Sequence, residues 1–140
     1  MRQLTLAAAA LALACGARAL GPEPLPVDRA HCATCGMLIS SERDAAQAVS
    51  PDEDTRFYDD IGCLARDRSL NAGARLFVHS TGGSGWLPAE QAWFAAPAGL
   101  DTPMGHGLAA FADAARARGA DVHGRARRWA DLLSEQEARR

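Results

Sequence analysis

Short apolar stretches separated by turn residues predict an α+β chain built from small strands and short helices. The clearest strand is Arg75–His79, which is rich in residues that favour strands. Apolar residues at helical spacing predict a helix over about 61–70, which Asp59 and Asp60 can cap. A second helix is predicted over about 113–118. Further strands are predicted over 43–49, 55–58, 86–87, 92–95, 108–111 and 121–123.

The order strand, strand, helix, strand occurs twice, over about 45–79 and again over 92–123. An aromatic residue shortly precedes an aspartate before each predicted helix, in Tyr58-Asp59-Asp60 and in Phe111-Ala112-Asp113. The two segments align only with a gap, because the spacing between their elements is not constant. The pattern therefore suggests two small similar ββαβ units, which is a weaker indication than a regular repeat.

The N-terminal residues predict export from the cytoplasm. Arg2 precedes an uncharged apolar run, Leu4–Ala14, which is too short to span a bilayer and is typical of a signal peptide. Small residues before Cys15 resemble a bacterial lipobox, so we predict lipidation of Cys15 and a membrane-anchored periplasmic protein. The alternative is ordinary cleavage after Ala19, which would give a soluble periplasmic protein.

The length of 140 residues favours one domain or two very small ones. We predict a signal peptide over 1–14, a proline-containing extended tether over 15–30, and ββαβ halves over 31–80 and 81–123. The segment 124–140 is predicted as a charged tail with a terminal helix. The 15 basic residues, all arginine, nearly balance 17 acidic ones, which argues against a nucleic-acid partner.

Three sulfur atoms lie close together in the stretch Cys32-Ala33-Thr34-Cys35-Gly36-Met37. Thiolate and thioether are soft ligands, and together they favour Cu(I). A zinc site would need a second ligand pair, whereas only Cys63 remains and no paired histidines are present. A thioredoxin-type pair would precede a helix, but here a strand is predicted next. A Cys32–Cys35 disulfide is sterically possible and would be an alternative to metal binding.

The second candidate segment is Thr102-Pro103-Met104-Gly105-His106-Gly107, where a thioether and an imidazole lie two residues apart. Both could bind one metal ion, or His106 could simply be exposed on a turn. Cys63 follows the predicted helix cap and could be a further soft ligand or a small buried core residue. Met37 and Met104 both lie in glycine-flanked turns, which is unusual for methionines that fill a core.

The order of these motifs resembles the NosL family, accessory lipoproteins of nitrous-oxide reductase. The motifs are the lipobox-like cysteine, Cys-Gly-Met, Phe-Tyr-Asp-Asp-x-x-Cys and Thr-Pro-Met-Gly-x-Gly-x-Ala-Ala-Phe, and the resemblance extends from about His31 to Val122. It implies two similar ββαβ halves related to the organomercurial-lyase fold. It also implies a periplasmic copper chaperone, not an enzyme, that delivers Cu(I) to nitrous-oxide reductase and its membrane maturation machinery.

The resemblance also implies which residues bind the metal. Cys35, Met37 and Met104 match best, Cys63 comes next, and Cys32 and His106 are less well supported. A different hypothesis is a thiol-dependent enzyme that uses Cys32 and Cys35 for redox or organometal chemistry. That chemistry would require two cysteines within reach of each other and an acid, Asp59 or Asp60, beside them.

Overall fold

The computed structural model describes residues 20–52, 54–83 and 85–138. The predicted signal peptide and the Cys15 lipidation site lie outside these residues. In chain order the elements are β1 (Ala46–Val49), β2 (Arg56–Tyr58), α1 (Ile61–Arg66), β3 (Arg75–His79), β4 (Trp86–Pro88), β5 (Trp93–Ala95), β6 (Ala109–Phe111), α2 (Ala114–Ala120), β7 (Arg127–Arg128) and α3 (Trp129–Ala138). None of the described helices is both long and apolar enough to cross a membrane.

The first sheet has the strand order β2-β1-β3-β4, with every neighbouring pair antiparallel. All four residues of β1 are buried, as expected for a central strand with neighbours on both sides. Helix α1 ends at Arg66, earlier than the predicted position near Leu70. Asp67 explains this early end, because its carboxylate accepts hydrogen bonds from the amide and hydroxyl of Ser69, at 2.8 and 2.7 Å, in a tight turn.

The second sheet repeats the topology of the first. Its strand order is β6-β5-β7, and α2 follows β6 just as α1 follows β2. Asp60 caps α1 and Asp113 caps α2, each with extended backbone geometry and a carboxylate that accepts from an amide in the first turn. The predicted fold class, α+β with two ββαβ units, is confirmed. A parallel bridge between Ser80 and Ala110 joins the two sheets.

The last strand lies further along the chain than predicted. Asp121 forms only an isolated bridge with Pro97, and its carboxylate accepts from the amide of His123 at 2.9 Å, which turns the chain. The third strand of the second sheet is instead β7. The segment predicted as a tail is thus part of the fold, and α3 buries Trp129 and Leu132 in the main core.

The described part of the segment predicted as a tether is attached to the first sheet. The buried amide side chain of Gln47 accepts from the backbone N–H of Glu23 at 2.8 Å and donates to its carbonyl at 3.0 Å. Leu25 is buried in the same core as β1. Because a buried amide needs hydrogen-bond partners, Gln47 fixes this segment on the sheet from Glu23 onward.

Candidate metal centre

The Cys-Gly-Met stretch forms a tight loop closed by backbone hydrogen bonds. His31 and Leu38 form an isolated antiparallel bridge rather than the start of a longer strand. The amide of Cys32 donates to the carbonyl of Met37, and the amide of Gly36 donates to the carbonyl of Cys32, both at 2.8 Å. Gly36 has a φ of 76°, a left-handed conformation that glycine adopts without strain. The loop therefore holds both cysteine side chains in a fixed relation.

Hydrogen bonds fix this loop against β2 and α1. The amide of Ala33 donates to the carbonyl of Phe57 at 2.8 Å, and the hydroxyl of Thr34 donates to the carbonyl of Cys63 at 2.9 Å. Cys63 lies in the first turn of α1, directly behind the Asp60 cap. Two segments that are distant in sequence thus bring their thiols to one place.

Three thiols and one carboxylate meet there. The Sγ atoms of Cys32, Cys35 and Cys63 and one carboxylate oxygen of Asp59 all lie within 4.8 Å of one another, and we call these residues the thiol cluster. The Cys35 Sγ lies 3.5 and 3.6 Å from the two carboxylate oxygens of Asp59. Ligands around a tetrahedral Zn²⁺ are roughly 3.8 Å apart, so a small contraction would let the cluster enclose one ion.

The thiol cluster is open on one side. Cys32 and Cys63 are each 2% exposed, whereas Cys35 is half-buried, so solvent and ligands reach the cluster through Cys35. All three thiols are free, and the disulfide considered between Cys32 and Cys35 is not formed. The geometry suits a buried binding centre with one accessible ligand.

The thiols of the cluster differ in acidity. A hydrogen bond from the Cys63 thiol, assisted by backbone hydrogen bonds, lowers the pKa of Cys32 from 9.0 to about 6. The same hydrogen bond raises the pKa of Cys63, and burial adds to the effect. Burial also raises the pKa of Cys35. At neutral pH the cluster thus holds one thiolate that is ready to bind a cation, and a metal ion would displace protons from the other two.

The two predicted methionine ligands lie at the surface. Met37 is 48% exposed and Met104 is 40% exposed, so neither fills the core. A small cavity of about 80 Å³ is lined by Met37, Asp59 and Pro103, which shows that the two sulfur-bearing loops flank the same carboxylate. The methionines therefore lie on loops beside the cluster, at the surface rather than in its interior.

Asp60 connects the second loop to α1. Besides capping the helix through the amide of Gly62 at 2.8 Å, its carboxylate accepts from the Thr102 hydroxyl at 2.7 Å and from the Met104 amide at 3.1 Å. The Thr102 oxygen in turn accepts from the amide of Gly107 at 3.0 Å. The side chain of Asp60 is fully buried, and its contacts with Thr102 and Met104 stabilise the loop that carries Met104.

His106 is not part of the thiol cluster, which contains three cysteines and Asp59. Its imidazole packs instead against the Cα of Gly62. Burial and the nearby charge of Arg66 lower the pKa of His106. The residue lines a cavity of about 500 Å³ between α1, β7 and α3, and its basic side chains, Arg66, Arg68 and Arg127, lead us to call it the cationic cavity.

Sequence reasoning overlooked Asp59 as a member of the cluster. Its position before a helix has an ordinary explanation as part of a cap, so only the requirement for an acid beside the thiols pointed to it. Cys32 was ranked below the methionines, yet it lies at the buried end of the cluster. Cys32 and Cys63 are linked by their burial at the same place in the fold, and their spacing in the sequence does not show this.

Comparison with known proteins supports the fold. No protein-family model and no curated protein sequence matches this chain. A search of solved structures found the copper chaperone NosL from Shewanella denitrificans, with a TM-score of 0.54 and 17% sequence identity, covering 70% of this chain and 84% of that one. The chain has a NosL-like fold. At this identity the NosL-like fold confirms the architecture, and the chemistry of the site rests on the residues described above.

Proposed function

We propose that this protein is a periplasmic chaperone that binds Cu(I) in the thiol cluster and delivers it for the assembly of nitrous-oxide reductase. The observation that carries the proposal is the convergence of Cys32, Cys35 and Cys63 within 4.8 Å. Thiolates are the preferred protein ligands of Cu(I). The NosL-like fold supports the same function, because the matching structure is that of a copper chaperone.

The layout of the site suits transfer as well as binding. Cys32 and Cys63 would hold the ion from the buried side, while the half-buried Cys35 remains accessible to an incoming ligand. Met37 and Met104 would supply weak thioether ligands at the entrance. An ion held by few soft ligands can pass to a partner by adding one ligand before losing another.

Zn²⁺ is the main competitor for this site. Sequence spacing offered no second ligand pair, but the structure brings Cys63 and Asp59 beside Cys32 and Cys35, and such a four-ligand set also suits Zn²⁺. The surface thioethers favour Cu(I), since methionine sulfur is a soft ligand. Metal preference is therefore the measurement that decides the proposal.

An anaerobic competition titration with Cu(I) and Zn²⁺, followed by X-ray absorption, tests the proposal. We expect tighter Cu(I) binding, with sulfur as the main neighbouring atom. Cys35→Ser should weaken Cu(I) binding by orders of magnitude without changing the fold, because this thiol is only half-buried. Met37→Ala and Met104→Ala should weaken it less, because thioethers are the weaker ligands and both lie at the surface. Unchanged Cu(I) affinity in Cys35→Ser, or stronger Zn²⁺ binding, would refute the chaperone function.

The proposed location and recipient rest on the motif resemblance. The wild type should incorporate labelled fatty acid and Cys15→Ser should not. Cleavage after Ala19 would instead leave both the wild type and the variant unlipidated. The recipient is tested by copper transfer from the loaded protein to copper-free nitrous-oxide reductase. Transfer no faster than from free Cu(I) would argue against that partner.

The contact between Cys35 and Asp59 supports a second candidate function, cleavage of a carbon–metal bond. The thiolates would bind the metal of an organomercurial, and the proton that Cys35 loses would pass through Asp59 to carbon, which also takes the electron pair of the broken bond. The mercury would remain on two thiolates. Release of methane from methylmercury, lost in Asp59→Asn, would favour this function, whereas Cu(I) binding without methane favours the chaperone.

A further inference from the structure

The cationic cavity carries three guanidinium groups but only one carboxylate. Arg66, Arg68 and Arg127 line it together with Glu135, so its walls have a net positive charge. It lies between the end of α1, the loop of His106, β7 and α3. Guanidinium groups bind carboxylates and phosphates in a bidentate manner, so their convergence from the end of α1, the segment after it and β7 indicates a site for an anion.

The arginines of this cavity are weakly paired within the protein. The side chain of Arg66 makes no hydrogen bond or ion pair with any residue that the structure describes. Arg68 has only a 3.8 Å contact with Glu137, and both side chains are largely exposed. The Arg127 Nη1 donates to the carbonyl of Arg125 at 3.2 Å, and its Nε lies 3.5 Å from a Glu135 oxygen without forming a hydrogen bond. Most of the hydrogen-bonding capacity of these groups is therefore available to a ligand.

Two buried polar atoms of the cavity-lining residues also lack partners. The Arg127 Nε, a donor, and the Gln136 Oε1, an acceptor, are both buried and have no hydrogen-bond partner in the described part of the chain. Buried polar groups are nearly always hydrogen-bonded, so each of these atoms calls for an explanation. Rotation of the two side chains toward the cavity would let a ligand carboxylate accept from Arg127 and a ligand hydroxyl donate to Gln136.

We propose that the cationic cavity binds a small organic anion that carries two or more carboxylates and a hydroxyl group. Its volume of about 500 Å³ is in the range of small-molecule sites. No cysteine lines it, so this site is separate from the thiol cluster. The two sites meet where His106, on the cavity wall, packs against Gly62, the residue before Cys63.

Isothermal titration of the full, metal-free, reduced chain with citrate tests this proposal. Tricarballylate, which is citrate without the hydroxyl, is the matched ligand. We expect citrate to bind, Arg66→Gln to weaken it about tenfold, and tricarballylate to bind several-fold less tightly than citrate. Arg75→Gln removes the same charge from an exposed position on β3, outside the cavity, and should leave citrate binding unchanged.

A second variant guards against a misleading loss of structure. Arg127→Gln changes a largely buried side chain, so a loss of citrate binding in this variant alone would be explained by an altered fold. Arg66 is exposed, so Arg66→Gln should leave the fold intact. Both variants should weaken citrate binding if the cavity is the site. Citrate binding that is absent at millimolar concentration, or equal in wild type and Arg66→Gln, would overturn the proposal. Tighter binding of a hexaglutamate peptide than of citrate would also overturn it, because the ligand would then be an acidic protein segment.

Discussion

Gly62 allows the thiol cluster and the loop of His106 to pack closely. A Cβ at this position would overlap the Cβ, Cγ and Cδ2 atoms of the His106 side chain. Because the loop is also held by Asp60, the imidazole has little freedom to move aside. The absence of a side chain at residue 62 is therefore a packing requirement of the site.

Gly62→Ala should lower the free energy of unfolding by about 1–3 kcal/mol, the usual cost of overpacking a buried position. Urea unfolding measures the change. Gly62→Ala combined with His106→Ala should recover part of the loss, because the second substitution removes the overlapping Cγ and Cδ2 atoms and leaves only the Cβ. Absence of any recovery would show that the cost does not arise from the contact with the His106 ring.

Gly119→Ala is the matched control. Gly119 lies in α2, and a Cβ there would contact nothing within 4 Å. This substitution should stabilise the protein by about 0.5–1 kcal/mol, since alanine favours the helix more than glycine does. A loss of stability similar to that of Gly62→Ala would contradict the role assigned to His106.

At the scale of elements, the two helix caps are equivalent in geometry but not in function. Asp113 caps α2 and forms an ion pair with Arg116, whereas Asp60 caps α1 and also binds the loop of Thr102 and Met104. The cap residue of the first ββαβ unit thus has two roles, which are helix capping and attachment of the loop. Substituting Asp60 and Asp113 in turn separates these two roles.

Asp60→Ala should cost about 2–4 kcal/mol of stability, because it removes a cap and leaves the Thr102 hydroxyl and the Met104 amide without their acceptor. Asp113→Ala should cost only about 1 kcal/mol. Thermal or urea unfolding of both variants gives the comparison. Equal losses would mean that the loop of Met104 does not depend on Asp60.

The junction after α1 should make stability depend on pH. Burial alone would raise the pKa of Asp67, but hydrogen bonds from Ser69 and Tyr58 and the charge of Arg56 lower it below its ordinary value of 3.8. A carboxyl group whose pKa is lowered by folding contributes stability above its unfolded pKa, and the contribution is lost as pH falls through the folded pKa.

The wild-type protein should therefore lose stability as pH falls from about 5 through the folded pKa of Asp67, which lies below 3.8, and Asp67→Asn should lose less over the same interval. Urea unfolding at several pH values measures both slopes. Glu90→Gln, at an exposed position in the turn after β4, should keep the wild-type slope. Parallel curves for wild type and Asp67→Asn would show that other carboxyl groups dominate the acid response.

At the scale of the whole molecule, the C-terminal helix completes the main core. Trp129 packs against Phe94 with ring centroids 5.5 Å apart and is buried together with Leu132. Trp129→Ala should lower the free energy of unfolding by about 3–5 kcal/mol through the cavity that it leaves. Val122→Ala, at an exposed residue, should change it by less than about 0.5 kcal/mol. Chemical unfolding of both variants tests whether α3 is structural.

The sequence predicted elements well where a local pattern determines them. Strand β3 and the Asp60 cap of α1 were predicted because strand-favouring residues, apolar spacing and aspartate act over a few residues. Strand β7 was missed, since two arginines gain strand geometry only by pairing with Phe94 and Trp93. The thiol cluster was predicted in part, because nothing local indicates that Cys32 and Cys63 touch.

The three tryptophans lie in different regions, so their fluorescence can report on the unfolding of each region. Trp86 lies in the first sheet, Trp93 lies in the second sheet under the guanidinium of Arg128 at 4.8 Å, and Trp129 lies at the core that both share. Variants that retain one indole each would fluoresce from one region only. Their melting curves would reveal whether the two halves lose structure in a single step or one after the other.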